Sequence, residues 1–266
     1  MKKIKKLLTI GLTVLLMLCM SISLFGCKKS QEIVCGDFVC LPRDKYITVC
    51  SLSENGREKE IVIIPPYLDG KLVNNLGTTY YYAASSRIRS NVMKDLYVSY
   101  SVLSITAHAS PFIQSDSLER AFWCGNQGFM KNQGEDYADY TFHLDNVRYY
   151  VTNVCYEYLV NKKFRSFLYK EVFPANTAYM FNYENCPNDG YFFINDFEYG
   201  ATIENTPYEP IRDGYVFGGW YKESKCINAW NFETDTLPQA QYDDQEREIY
   251  QETKPVSYTH LRAHET

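Results

Sequence analysis

From Ile33 onward the chain alternates short apolar runs with turn residues. DFVCL (37–41) and KYITVCS (45–51) carry β-branched and aromatic positions at the spacing of half-buried strands. SENG (53–56) reads as a turn, and EIVIIPP (60–66) as a third strand that its two prolines end. Further along, Val73 and Leu76 recur as Val102 and Ile105, an offset of 29 residues in both cases. That period lies in the range of stacked repeat units, each too small to bury its own apolar face. SLERAFWCG (117–125), with Leu118, Ala121 and Phe122, reads as a third partial unit, and NVRYYVTN (146–153), with Val147, Tyr149 and Val151, as a fourth. Between them GNQGFMKNQGEDYADY (125–140) is polar and glycine-containing, the composition of a loop.

The period then changes. Cys155, Leu159, Phe164, Phe167 and Leu168 recur every three to five residues while Lys162, Lys163, Arg165 and Lys170 fall between them. This predicts an amphipathic helix over about 153–170, capped by Asn153 and covering the open end of the repeats. FPAN (173–176) is expected to end it as a linker. Strand patterns return in AYMFNYE (178–184), YFFINDFEYGATI (191–203), GYVFGGWYKE (214–223) and REIYQETK (247–254), separated by turn-rich NCPNDG (185–190) and by Pro207 and Pro210. The pattern therefore predicts a mainly β molecule in two parts, 33–176 and 178–254. Gly214, Gly218 and Gly219 are expected to serve a tight corner whose core is Phe217, Trp220, Trp230 and Phe232.

Composition adds to this. Tyrosine is abundant, at 24 of 266 residues, which suits β surfaces where a ring packs and its hydroxyl reaches water. MKKIKK precedes an uncharged run from Leu7 to Phe25, the basic and apolar regions of an export signal. The net charge of −5 becomes −9 without those four lysines, so the exported part has no electrostatic case for binding nucleic acid. Nine cysteines include Cys19 in the leader and Cys27 just after it. The other seven, an odd number without paired C-x-x-C motifs, do not form a zinc framework, although Cys35 and Cys40 could pair after export.

Three stretches resemble known families. LFGC (24–27) resembles the lipobox of bacterial lipoproteins, although Phe25 is bulkier than the small residue usual there. The resemblance implies removal of a signal peptide, 1–26, diacylation of the Cys27 thiol, a polar tether over 27–32, and a protein held on the outer face of the bacterial cell membrane. IVIIPPYLDGKLVNNLG (61–77) resembles the BspA-like leucine-rich repeats of bacterial surface antigens at Ile64, Pro65, Asp69, Gly70, Val73 and Gly77. That implies a short irregular solenoid over 33–176. Tyr199-Gly200, Pro207, Pro210, Gly214-Tyr215, Phe217, Gly219-Trp220-Tyr221, Trp230, Phe232 and Asp235 resemble the internalin-type B repeat, also called the Listeria-Bacteroides repeat. It implies a small ubiquitin-like β-grasp module over 178–254, cut short before its usual closing strand. The last residues, 256–266, resemble the translation of a sequencing-library adapter, and are expected to lie outside the fold and to interrupt a longer natural chain.

No catalytic constellation emerges. Of four histidines two lie in the tail, and His108 and His143 lack a convincing carboxylate or nucleophile partner. The expectation is a protein that is not an enzyme, with no metal and no cofactor beyond the lipid on Cys27. The leading reading is a lipid-anchored surface protein that mediates protein contacts or adhesion, with Tyr97 and Tyr100 on an exposed wall of the solenoid. A second reading is glycan binding through Tyr80, Tyr81 and Tyr82, and a third is a spacer presenting a further C-terminal domain.

Overall fold

The structure, a computed structural model, describes residues 31–77, 87–105, 113–125, 146–162 and 171–261. It is mainly β, with four sheets, two α-helices and one 3-10 turn among these residues.

An antiparallel hairpin opens the described chain. β1 (Ile33–Cys35) turns at Gly36, whose φ of 59° suits a residue without a Cβ, into β2 (Phe38–Pro42), which pairs with β3 (Tyr46–Leu52). The expected SENG turn is a single helical turn, α1 (Glu54–Arg57). Ser53 caps it by accepting a 3.2 Å bond from the Gly56 N–H.

The centre is a five-stranded parallel ladder. β4 (Ile61–Ile64), β8 (Asp95–Val98), β11 (Arg120–Trp123), β12 (Arg148–Val151) and β13 (Glu171–Pro174) pair in chain order without a slip in register. Each strand stacks on the one before it, and side chains alternate between two faces. Inward, Val62, Leu96, Ala121, Tyr149 and Val172 make one buried row, with Ile64, Val98, Trp123 and Val151 the next. The partial units expected at 117–125 and 146–153 are thus rungs of this ladder. The expected linker FPAN gives its first two residues to the fifth rung, because Val172 completes the apolar row.

Opposite the ladder run shorter parallel pairs. β6 (Lys71–Leu76) lies between β3 and β9 (Ser104–Ile105), with β5 (Tyr67–Leu68) antiparallel to it. β7 (Ile88–Arg89) pairs with β10 (Ile113–Gln114). The offset of 29 residues read from the sequence is the register of β6 on β9, since Asn75 faces Ser104 and Leu76 faces Ile105. Val73, Leu76, Val102 and Ile105 all enter the core behind the ladder.

The helix α2 (Asn153–Lys162) follows β12 and packs on β13. Its cap is Thr152, not Asn153: the Thr152 Oγ1 accepts from the Cys155 N–H at 3.1 Å and the Thr152 carbonyl from the Tyr156 N–H at 2.9 Å. Cys155 and Leu159 point inward as their period predicts. Residues 163–170, where the expected helix continues, lie outside the described residues.

The remaining chain builds a mixed sheet in the order β15-β14-β17-β16, from β14 (Thr177–Met180), β15 (Tyr191–Asn195), β16 (Tyr215–Tyr221) and β17 (Val256–Leu261). β17 corrects an expectation, because 256–261 of the tail lie inside the fold. Thr253 and Pro255 already hydrogen-bond β14, so the chain reaches Val256 as a strand. VSYTHL then continues along β16 from Tyr221↔Val256 to Tyr215↔Leu261. Gly214 and Gly219 have φ of 77° and 114°, and a bulge separates Phe217 from Gly219. Trp220 is buried at this corner, Phe217 meets it edge-on, and Trp230 and Phe232 pack against the same cluster.

Candidate functional site

The ladder's outer face carries one polar and one aromatic row. In the polar row Arg120 grips Asp95 through two bonds, Nε to Oδ1 at 2.8 Å and Nη2 to Oδ2 at 2.6 Å. The aromatic row runs Tyr97, Phe122, Tyr150, Phe173. Its first centroids lie 4.4 and 4.8 Å apart with rings within 2° and 12° of parallel, about the separation of adjacent strands, and the last step is 6.0 Å.

This row decides the fate of two candidate contact residues. Tyr97 and Tyr100 are buried, at 8% and 7% exposure, where an open wall was expected. The C-terminal sheet lies over them. Phe193 stacks 5.3 Å from Tyr97, Phe181 meets Tyr100 edge-on at 5.3 Å, and the Tyr97 hydroxyl donates to Asn195 Oδ1 at 3.2 Å. Burial pushes both hydroxyls well above the ordinary tyrosine range. The two sequence halves thus share one aromatic core, which also takes in Phe122, Cys124, Tyr150, Tyr179 and Trp220. The candidates Cys27, Tyr80, Tyr81 and Tyr82, with His108 and His143, lie outside the described residues.

Where the ladder ends, the seam between the sheets opens into a cleft of about 490 Å³. Arg148, Tyr150 and Phe173 line it from the ladder, Asp196, Glu198 and Tyr199 from the segment after β15, and Glu248 and Tyr250 from the approach to β17. Asn176 holds the wall together. Its Nδ2 donates to the Phe197 carbonyl at 2.6 Å and its Oδ1 accepts from the Phe197 N–H at 3.1 Å. Tyr250 donates to the Ala175 carbonyl at 2.9 Å, and Tyr199 donates to the Gln251 carbonyl at 3.2 Å while accepting from its N–H at 2.7 Å. Burial raises the Asp196 carboxyl above its usual range, more than the Asn176 N–H, the Tyr150 hydroxyl and the two arginines lower it. Burial, and then the charge of Asp196, pushes Tyr150 up to about 12.

A second cleft, about 290 Å³, lies between Tyr67, Leu72, Tyr100, Leu103 and Pro187 and is mostly apolar. Among the described residues no cluster of histidine, cysteine and carboxylate could hold a metal, and Cys35 and Cys40, which could have paired, remain thiols. Among the described residues, too, no helix is long and apolar enough to cross a membrane.

Residues 179–242 match the family model of the Listeria-Bacteroides repeat domain. The match falls within the stretch that resembled it in sequence and takes in the end of β14 and all of β15 and β16. A provisionally named membrane protein of Evansella cellulosilytica is 45% identical over 40 residues, which is 15% of this chain and 6% of that protein. A provisionally named Gly-rich membrane protein of the same organism is 42% identical over 40 residues, 15% of this chain and 4% of that one. The chain thus spans only a small part of the length of these relatives.

The seam cleft escaped the sequence reading. Its walls come from stretches of chain as far apart as Arg120 and Tyr250, and the one local signal was the run of aromatic and charged residues in NDFEY (195–199).

Proposed function

We propose that this protein is a lipid-anchored bacterial surface protein whose outward part mediates adhesion through protein contacts. The observation that carries the reading is the Listeria-Bacteroides repeat match behind a leader that ends in LFGC. The in-register parallel ladder supports reading 33–176 as a short leucine-rich-repeat solenoid, and the mixed sheet supports a β-grasp module after it. The shared aromatic core makes the two a single rigid head on a short tether. Such a head presents its surfaces at a fixed orientation, which limits the entropy lost on docking.

Two measurements test this. Replacing Cys27 by Ser should release the protein from the membrane fraction; full retention would overturn the lipid anchor. Vesicles carrying the full chain should adhere to neighbouring cells, and trypsin treatment of those cells should remove the adhesion. Adhesion that survives trypsin would overturn the protein-contact reading.

A further inference from the structure

We propose that the seam cleft is a saccharide-binding site that takes a neutral pyranose unit. This inference is independent of the adhesion reading, since it concerns a cleft and not the outer surfaces.

The argument begins with the aromatic row. Stacked rungs bury Tyr97, Phe122 and Tyr150, but the row ends at Phe173, whose ring is 42% exposed in the cleft wall. Tyr250, 37% exposed, stands in the same wall with its hydroxyl already bound to Ala175. These rings offer apolar faces, and a pyranose carries C–H groups of matching character.

The charges then decide between ligand classes. Arg120 and Arg148 offer donors, and Asp196, Glu198 and Glu248 offer acceptors, all in one cleft. An acidic ligand would meet three carboxylates, and a basic ligand would meet Arg120 and Arg148. A sugar hydroxyl both donates and accepts, so one neutral polyol can answer every charged group in the wall. A peptide strand is disfavoured here as well, because Pro174 removes a backbone donor from β13, the last rung. The cleft's volume of about 490 Å³ is in the usual range for small-ligand sites. The Asn176 clamp and the tethered Tyr199 and Tyr250 hydroxyls fix the walls before any ligand arrives, which reduces the ordering lost on binding.

The experiment titrates the full chain in detergent with cellobiose, maltose and N,N′-diacetylchitobiose by calorimetry, beside an acidic and a basic hexapeptide. At least one sugar should bind. Phe173→Ala and Glu248→Gln should each weaken it about tenfold, a change of about 1.4 kcal/mol, while Phe173→Tyr and the distant Val34→Ser leave it unchanged. All three altered side chains are exposed, so thermal melting should show all four variants folded. No heat with any of the three sugars would overturn the proposal. So would sugar binding that both weakening variants retain in full, or peptide binding without sugar binding. The trypsin-sensitive adhesion of the full chain is read separately, and either result can fail while the other stands.

Discussion

Gly56 sits where a methyl group would meet the Asp37 carbonyl oxygen at 2.2 Å, because the hairpin turn folds back over α1 and accepts the Ser53 N–H at 2.9 Å. That oxygen belongs to the backbone and cannot swing aside. Gly56→Ala should therefore destabilise the protein by about 1 to 3 kcal/mol, read as a lower melting temperature. An unchanged melting temperature would mean that the turn can retreat. Ser257 shows the opposite case. It is 2% exposed, faces Trp220 across the β16–β17 ladder, and its hydroxyl has no hydrogen-bond partner among the described residues. Ser257→Ala should raise stability by about 1 kcal/mol in denaturant melts, because it removes a desolvated polar group with little loss of volume. At Gly218, a Cβ would come within 2.6 Å of the Tyr258 ring. The glycines of GYVFGGWYKE thus answer to backbone and packing demands, as the sequence suggested, but one of the groups that imposes them belongs to a tail expected outside the fold.

At the level of elements, the aromatic row is the ladder's outer core. Phe122, at 1% exposure between Tyr97 and Tyr150, should cost about 3 to 5 kcal/mol when cut to Ala, and Phe173→Ala clearly less, since that ring is partly in water. Equal costs would mean that burial does not set the energy of the row. The shared aromatic core also carries a pH signature. Tyr97, Tyr150 and Tyr179 are raised by burial from an ordinary value of 10.0, Tyr150 to about 12. The folded state keeps protons that the unfolded chain gives up near pH 10. Stability from this source is complete below that pH and is lost as pH rises towards the folded values. Chemical melts at pH 8 and pH 11 should show a marked fall at the higher pH, and Tyr150→Phe should reduce that fall. Much of this was open to sequence reasoning. The strand FVCLP, the repeat offset and the rungs at 120–123 and 148–151 follow from local alternation. What Tyr97 packs against does not, because Asn195, its hydrogen-bond partner, lies 98 residues further along the chain.

For the whole molecule, one shared core predicts one transition. Ladder residues Phe122 and Tyr150 and C-terminal residues Phe193 and Trp220 belong to the same cluster, so the head should unfold as a unit. Calorimetry should give a single peak whose van't Hoff and calorimetric enthalpies agree; two resolved peaks would show that the sheets are separate domains. Deleting 178–254 would bare Tyr97, Phe122 and Tyr150 together and should leave an aggregating product, an exposure that soluble proteins avoid.

The sequence by itself determined the local order: where strands begin and turn, the period of the repeats, the Listeria-Bacteroides repeat, and the structural duty of Trp220 and its glycines. These depend on side-chain alternation and backbone freedom within a few residues. The tertiary structure alone decided which face of the ladder is covered, that 256–261 complete the second sheet, and that a cleft of rings and charges opens at the seam. Each of these depends on which distant surface an element meets, and alternation marks a strand's two faces without saying what lies over either.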